Sequence, residues 1–452
     1  MSQTPENAYK IQNVKLSFDS HFFEALLEMQ SQPDVQLAAQ RADENYLPWE
    51  ELKNKDWMPE KKETVFKFIK FLRRSRNRPT PVRDQKGEHY KINDRLHAEF
   101  LHEVDMEMGG TFMGITDFGE TDRRQFIRRN LIEESIASSK LEGANTSREV
   151  ARRMLAEGRK PRDKDERMIV NSHAAMTRIE SELKDEKLTI ALLKNLHRQV
   201  TSGTLSNPAH EGEFRDTLDA KGNRLKIMPR DETTVAYVTP DRAFVDAQLP
   251  ELIAFANEER RGEPFIHPLI KAIMLHFWIG LLHPFEDGNG RLARIIFYWF
   301  MLRKGYWAFS YLSLSVKILK SPKQYAMAYI YSEQDDYDLN YFVHYNIEKL
   351  KLARLDFQKF IAQKIDENRQ AMRIIEGGHK LNHRQLKLLQ YLAKDEAQHT
   401  NMTRYHAENS DIGYVSAVAD LKRLVAGGFL TKTRAGRNIH YRPTPKIHSL
   451  FK

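Results

Sequence analysis

The chain has 452 residues, room for about three domains at ~150 residues each. Its 41% apolar and 29% charged residues are a soluble globular balance, and the absence of cysteine excludes disulfides, a thiol nucleophile and any thiolate-held metal. Lysine and arginine outnumber acidic residues 71 to 62, a net charge of +9 that suits a polyanionic partner. No basic stretch leading into an apolar run opens the chain. The most apolar window, Leu269 to Leu282, is interrupted by Lys271 and His276 and is shorter than the ~20 residues of a membrane span, so a cytoplasmic protein without membrane contact is expected.

The first ~60 residues are polar and weakly patterned, with breaks at Pro48-Trp49 and Pro59. Helical spacing appears from Lys61 to Arg74 through Val65, Phe66, Phe68, Ile69 and Leu72. Arg76 to Tyr90 reads as a breaker segment, and Met108 to Glu120 as a loop. Helices are then expected at Arg123–Leu141, after Ser147, from Asp163 to Leu183 and from Thr189 to Val200, with Ser147, Asp163 and Thr189 as N-caps. Two short β-type runs, LKIM and VAYV, flank PRDETT and suggest a hairpin before Thr239. Helical pattern resumes at Asp241–Glu259, Pro268–Leu282, Leu292–Arg303 and Pro322–Glu333, and fills Leu339–Ile375 with one or two long helices. Glu376-Gly377-Gly378 is the linker candidate. Beyond it, Leu381 to Lys452 holds twelve basic and five acidic residues, so most of the excess positive charge lies in the tail.

One loop between two apolar helices carries chemistry: His283-Pro284-Phe285-Glu286-Asp287-Gly288-Asn289-Gly290-Arg291. Pro284 disfavours helical geometry at His283, so the preceding helix stops there. Gly288, Asn289 and Gly290 tolerate left-handed backbone angles and can turn successive N–H groups into an anion nest. The next helix begins near Gly290, and its N-terminal dipole faces the same point. Arg291 and Arg294 in that first turn oppose the dipole unless a strong anion sits between them. Asp287 offers a hard oxygen suited to Mg²⁺, and His283 an imidazole that accepts a proton near neutral pH. Base, metal ligand, anion nest and guanidinium clamps are what phosphoryl or nucleotidyl transfer needs.

The loop resembles the signature of the Fic family, H-P-F-x-[D/E]-G-N-G-R-x-x-R, complete through Arg294. Gly212, Phe214 and Arg215 match the G-x-[FY]-R that precedes the family's flap hairpin, and VAYVTP is similar to the flap's end. The resemblance implies a mainly α protein with a Fic-type helical core and small hairpin flap (123–375). An N-terminal helical region (1–122) precedes the core, and a C-terminal winged-helix domain (381–452) follows it. It implies a nucleotidyltransferase that moves AMP from ATP to a Ser, Thr or Tyr hydroxyl of a target protein, or of itself. In that family His283 is the base, Asp287 holds Mg²⁺, Gly288, Asn289 and Gly290 cradle phosphates, and Arg291 and Arg294 hold the terminal ones. Ser138-Ser139-Lys140-Leu141-Glu142-Gly143 resembles the inhibitory sequence [S/T]-x-x-x-E-[G/N], which implies a bidentate pairing of Glu142 with Arg294 that blocks the γ-phosphate, with Ser138 and Gly143 completing the motif. The same Glu142 could instead serve removal of AMP. Relatives of this kind often pair through the core, which points to a homodimer. After the loop the family's Tyr-Tyr pair and Asn-Glu-Gly-Asp run become Gln324-Tyr325 and Ser332-Glu333-Gln334-Asp335, which leaves the base site least secure.

The tail resembles a winged helix-turn-helix. Val415, Val418, Leu421, Leu424 and Val425 form a stripe ending at Gly427-Gly428, and strands at Phe429-Leu430 and Ile439–Tyr441 flank a tip carrying Arg434 and Arg437. Read as a DNA-binding element, it makes the alternative function a transcriptional regulator with a Fic-like nucleotide sensor. A protein-contact or dimerising module is the other reading of the same residues. A metal hydrolase is disfavoured by the lack of His-Glu-x-x-His.

Overall fold

The computed structural model describes residues 9–109, 120–218, 222–227, 237–259, 264–376, 381–393, 399–409, 412–435 and 438–447. The chain divides into two units, Met1–Thr111 with Ile127–Arg354, and Phe112–Phe126 with Leu355–Lys452. The N-terminal region therefore shares one unit with the central helices, whereas the sequence pattern divides the two near residue 122.

The first unit opens with α1 (Ser20–Gln30), α2 (Pro33–Glu44), α3 (Trp49–Leu52) and α4 (Lys62–Arg76). Asp19 caps α1 by accepting the Phe22 N–H at 2.8 Å. The apolar stripe of α4 packs Val65, Phe66, Phe68 and Ile69 against Val35, Ala38 and Leu52. The supposed breaker segment is instead a hairpin of β1 (Arg78–Arg83) and β2 (His89–Ile92). Pro79 and Pro81 lack N–H groups, but a two-stranded ribbon has outward edges that need none. Asp84 closes the turn, accepting the Gly87 N–H at 3.1 Å. A helix the sequence pattern does not announce, α5 (Ala98–Met108), follows.

Four helices then run as α6 (Glu120–Leu141), α7 (Arg148–Glu157), α8 (Lys164–Arg178) and α9 (Ile190–Thr201). Ser147, Asp163 and Thr189 cap the last three by accepting N–H groups at 3.3, 2.8 and 3.0 Å, as their residue types require. The expected hairpin forms between β3 (Lys226–Ile227) and β4 (Tyr237–Val238), and its connecting residues 228–236 lie outside the described residues. The unit continues with α10 (Arg242–Ala256), α11 (Pro268–Leu282), α12 (Asn289–Arg303), α13 (Leu314–Ile318), α14 (Pro322–Gln334) and the start of α15 (Asn340–Glu376), a single helix whose residues from Leu355 on belong to the second unit. Twelve of the fifteen residues of α11 are buried, so it is the unit's inner axis rather than a surface helix. Its partner α12 is as deeply set, and Trp299 satisfies its indole N–H on the Leu183 carbonyl at 3.1 Å.

The N-terminal region is tied to the turn between α14 and α15 by buried polar groups. Lys70 meets Asp335 at 2.5 Å, Tyr46 donates to Asp338 at 2.5 Å, and Tyr341 donates to Asp335 at 2.7 Å. Backbone bonds run from Lys91 N–H to Tyr337 O and from Leu339 N–H to Lys91 O. These contacts bring the β1–β2 hairpin to the end of α14.

The second unit contains α16 (His383–Ala393), β5 (Thr400–Asn401), α17 (Met402–Glu408), α18 (Tyr414–Ala426), β6 (Leu430–Ala435) and β7 (Asn438–Pro443), with an antiparallel sheet in the order β5-β7-β6. The buried face of α18 is Ala417, Leu421 and Leu424, while Val415, expected in that stripe, is 82% exposed because the helix turns it away from the core. Buried Asp420 joins the three helices, accepting from Asn382 at 2.7 Å, Arg384 at 3.0 Å and Tyr405 at 3.2 Å. Arg434 is not at the hairpin tip but within β6, opposite Ile439, because the strands extend further than the sequence reading allows. Arg437 and the linker glycines Gly377 and Gly378 lie outside the described residues. Among the described residues no helix is long and apolar enough to cross a membrane.

Candidate active site

The turn between α11 and α12 is built by its own residues. His283 ends α11 in the left-handed region (φ 45°, ψ 57°), its N–H still bonded to the Ile279 carbonyl at 2.9 Å. Arg215 caps the exposed carbonyls there: its guanidinium donates to His283 O at 2.6 Å, Pro240 O at 2.8 Å and Leu282 O at 3.4 Å. Its backbone N–H reaches Pro284 O at 3.0 Å. At the other end Gly288 (φ 82°) precedes α12, where a side chain would collide with Thr201. Asn289 staples the loop from beneath, accepting the Phe285 N–H at 3.0 Å and donating to Phe285 O at 2.8 Å. Its side chain is thereby spent on the loop, so the anion-facing groups are the backbone amides that open α12.

A second support was not foreseen. His197 on α9 stacks on Phe285 with ring centroids 3.7 Å apart. Its Nδ1 accepts the Gly212 N–H at 2.9 Å, so the proton sits on Nε2, which donates to Asp287 O at 2.8 Å. The signal was present in the sequence as a histidine on the apolar stripe Leu193, Leu196, Val200.

A cavity of about 200 Å³ opens beside the loop, and His283, Gly290, Arg294 and Glu142 all line it. The His283 Nδ1 lies 3.4 Å from the Gly280 carbonyl, which favours the tautomer whose Nε2 is free to accept a proton. Burial, with Arg215 beside it, holds the imidazole down to about 4, so it is neutral at physiological pH. Glu142, just past the end of α6, reaches over the first turn of α12. A Cβ on Gly290 would run into its carboxylate, so only glycine admits this approach. Arg294 is 2% exposed; its Nε donates to the Ser138 hydroxyl at 2.9 Å, and its Nη2 to Ser138 O at 3.0 Å and to Glu142 Oε1 at 2.8 Å. The contact with Glu142 is therefore single-pronged rather than the expected fork, because Ser138 takes the Nε donor. Burial opposes the Arg294 charge, but Glu142, Tyr325 and Glu134 together outweigh it and hold the guanidinium more firmly protonated.

Arg291 departs from expectation more sharply. It is fully buried beneath the loop, donates to Val200 O at 2.7 Å, and does not line the cavity. Among the described residues its Nε and Nη2 have no hydrogen-bond partner, and Nη2 lies 3.8 Å from Asp287. Residues three apart leave a helix on nearly the same side, so the partners decide: the Arg291 guanidinium is drawn to the Val200 carbonyl and that of Arg294 to Ser138 and Glu142. Arg291 acts on the loop through its charge from behind. Asp287 is about half exposed; its Oδ1 accepts the Gly288 N–H at 2.5 Å. No group of three or more potential metal ligands occurs among the described residues. Gly143 (φ 102°) ends the turn after α6, its N–H on Lys140 O at 3.2 Å.

The remaining wall is aromatic. Phe277 of α11 stacks against Tyr329 of α14 at 5.1 Å, Tyr325 bonds His276 Nε2 through its hydroxyl at 2.7 Å, and Tyr237 of β4 donates to Leu281 O at 2.9 Å. His276 is core.

Two expected results follow from these supports. Arg215→Ala should lower any activity carried by His283 roughly 10- to 100-fold, since carbonyls at a strained turn lose a charged donor. It should also move the acid limb of the pH profile upward, because a positive neighbour of His283 is gone; an unshifted limb would count against direct contact between the two. Separately, burial holds His276 down to about 3 and His197 to about 4. The unfolded chain then binds more protons between pH 6.5 and 4, so stability falls as pH drops through that window, by about 2 kcal/mol per histidine at pH 5. Urea midpoints at pH 7 and pH 5 measure this, and equal midpoints would contradict it.

Residues 187–301 match the model of the Fic/DOC family. The protein adenylyltransferase fic-1 of Caenorhabditis elegans is 26% identical over 156 residues, 34% of this chain and 27% of that protein. The protein adenylyltransferase Fic of Culex quinquefasciatus is 29% identical over 140 residues, 30% of this chain and 25% of that protein. The chain thus matches only about a quarter of the length of these relatives. The solved structure of Fic-1 (residues 134–508) from C. elegans superposes with a TM-score of 0.50 at 18% identity, covering 77% of this chain and 94% of that one, which is a likeness of fold.

Proposed function

We propose that this chain, whose residues 187–301 belong to the Fic/DOC family, is a self-inhibited protein adenylyltransferase that moves AMP from ATP to a hydroxyl of a target protein. The observation that carries the reading is convergence: a neutral imidazole, a buried guanidinium and a helix N-terminus share one cavity, and a carboxylate of the chain itself sits among them.

In this mechanism His283 Nε2 takes the proton of the attacking Ser, Thr or Tyr hydroxyl. The hydroxyl oxygen forms a bond to the α-phosphorus as the bond to the bridging oxygen breaks, and pyrophosphate departs with that electron pair. The amides at the start of α12 receive phosphate oxygens, and Arg294 holds the terminal phosphate once Glu142 withdraws. Arg291 adds positive charge behind the loop. The half-exposed carboxylate of Asp287 fits Mg²⁺, which takes one or two protein carboxylates and completes its shell with phosphates; the ion would neutralise developing phosphate charge. Glu142 inhibits by occupying the place and the guanidinium that the terminal phosphate needs.

The second unit supports a winged-helix reading: three helices precede a hairpin, with Arg434 exposed on β6. The rival function, a DNA-binding regulator that only senses nucleotide, gives no reason for a cavity-facing imidazole with a free acceptor nitrogen. The test is incubation of the Glu142→Gly protein with α-labelled ATP and Mg²⁺, alone and with cell extract. Protein-bound label, lost in the His283→Ala form, is expected; no label under any condition would sink the proposal.

A further inference from the structure

Helix α6 carries a polar seam on the face it turns to α12 and α13. Asn130, Glu134, Ser138 and Glu142 recur every fourth residue, the last just past the helix end. Each of them is engaged. Asn130 donates to Ser310 O at 3.2 Å, and Ser138 and Glu142 hold Arg294. Glu134 accepts from the Tyr298 hydroxyl at 3.0 Å, the Ser313 hydroxyl at 2.8 Å, the Ser315 N–H at 2.9 Å and the Ser315 hydroxyl. The matching positions on α12 are Gly290, Arg294 and Tyr298, again four apart, and they meet Glu142, Ser138 and Glu134 in that order. The two helices therefore run antiparallel with their polar residues in register.

Glu134 is a costly residue for packing alone. It is 1% exposed, its donors are three hydroxyls and one amide rather than a cation, and burial pushes its carboxyl up. An apolar side chain would hold two helices together at less cost, as Ile132 and Ile136 do on the other side of α6 against Ala151, Met154 and Ile169. What a buried polar group supplies is register. A slip of α6 by one turn would put the short Ser138 hydroxyl where four donors now converge on a carboxylate. We infer that Glu134 is the positioning residue of the inhibited state: by fixing the register of α6 on α12 it determines where Glu142 meets Arg294. Leu131 through Ser139 are all buried, so the body of the helix stays in place. Relief of inhibition is a movement of the partly exposed turn at Glu142-Gly143, whose glycine is in the left-handed region (φ 102°), about that fixed helix. The inference rests on the reading of Glu142 as an inhibitor and adds the residue that aims it, eight positions away.

The experiment is a double-mutant cycle on the full chain. The parent, Glu134→Gln, Glu142→Gly and the double variant are each incubated with α-labelled ATP and Mg²⁺, and the initial rate of protein labelling and the KM for ATP are measured. Glu134→Gln keeps the shape of the side chain but turns an amide N–H₂ toward donors, so α6 loses its fixed register. With Glu142 present it should raise labelling about 3- to 10-fold and lower the KM for ATP, a part of the gain expected from removing Glu142 itself. With Glu142 absent it should give no gain. A residue that only supports the fold would lower labelling in both backgrounds. Ser315→Ala removes one donor from outside α6; it should follow the same pattern at about twofold, and it carries the test if Glu134→Gln does not fold. A rate unchanged or lowered in the parent background, or altered by the same factor with and without Glu142, would overturn the inference. If Glu142→Gly raises labelling and Glu134→Gln does not, the inhibitory reading stands and this one fails. If Glu142→Gly gives no rise, both fail.

Discussion

Replacing His283 with alanine is expected to lower AMP transfer by 10²- to 10⁴-fold while leaving ATP binding intact. The expectation comes from three features of one side chain. The imidazole lines the cavity that holds the anion cradle. The Gly280 carbonyl at 3.4 Å leaves Nε2 as the acceptor. Burial and Arg215 hold the group down to about 4, so it is an unprotonated base through the whole neutral range. A positioned general base contributes about 10²- to 10⁴-fold, and neither His197, with both ring nitrogens engaged, nor His276, buried behind Tyr325, can substitute. The same reasoning fixes the pH profile. The limb due to His283 should fall only below about pH 5, so transfer should be flat from pH 6 to 8. Single-turnover labelling in the Glu142→Gly background measures both quantities, and a His283→Ala protein with undiminished transfer would remove the base from the mechanism.

Glu142→Gly should act in the opposite direction, raising transfer by roughly 10- to 100-fold. Glu142 forms one charge-assisted bond with Arg294, at 2.8 Å, and its carboxylate covers Gly290. Competing with such a contact costs an incoming phosphate about 1.5–3 kcal/mol. Because Arg294 is almost wholly buried, deleting its partner strands a cation, and the apo protein should lose about 1–3 kcal/mol of stability. ATP should then restore more stability to the variant than to the parent, since the terminal phosphate replaces the lost carboxylate. Thermal melts with and without ATP and Mg²⁺ test this pairing of effects. A variant that melts lower yet gains nothing from ATP would show Glu142 to be a structural contact. Ser138 does not compensate, because its hydroxyl and carbonyl hold the guanidinium in place without neutralising it.

The sequence by itself determined whatever is encoded in short spacings. The caps at Ser147, Asp163 and Thr189, the end of α11 at Pro284, the glycine-rich turn and the sharing of one site by His283, Glu142 and Arg294 were all legible, the last through a resemblance that covers both motifs. Local rules sufficed for the caps, the helix end and the turn, because each is set by backbone preferences within a few residues. Tertiary structure decided the rest. It turned the proline-rich stretch after α4 into an edge hairpin, which only a packed neighbour could reveal. It sent Arg291 beneath the loop and Arg294 into the cavity, because side chains that leave the helix on nearly the same side found different partners, the Val200 carbonyl and the Glu142 carboxylate. It made Arg215 a cap for His283, 68 residues away, and set Glu333, 50 residues after His283, in the lining of the same cavity. Such convergences depend on how long apolar helices choose one another in a shared core, and that choice is made by complementary packing over distances no local pattern records.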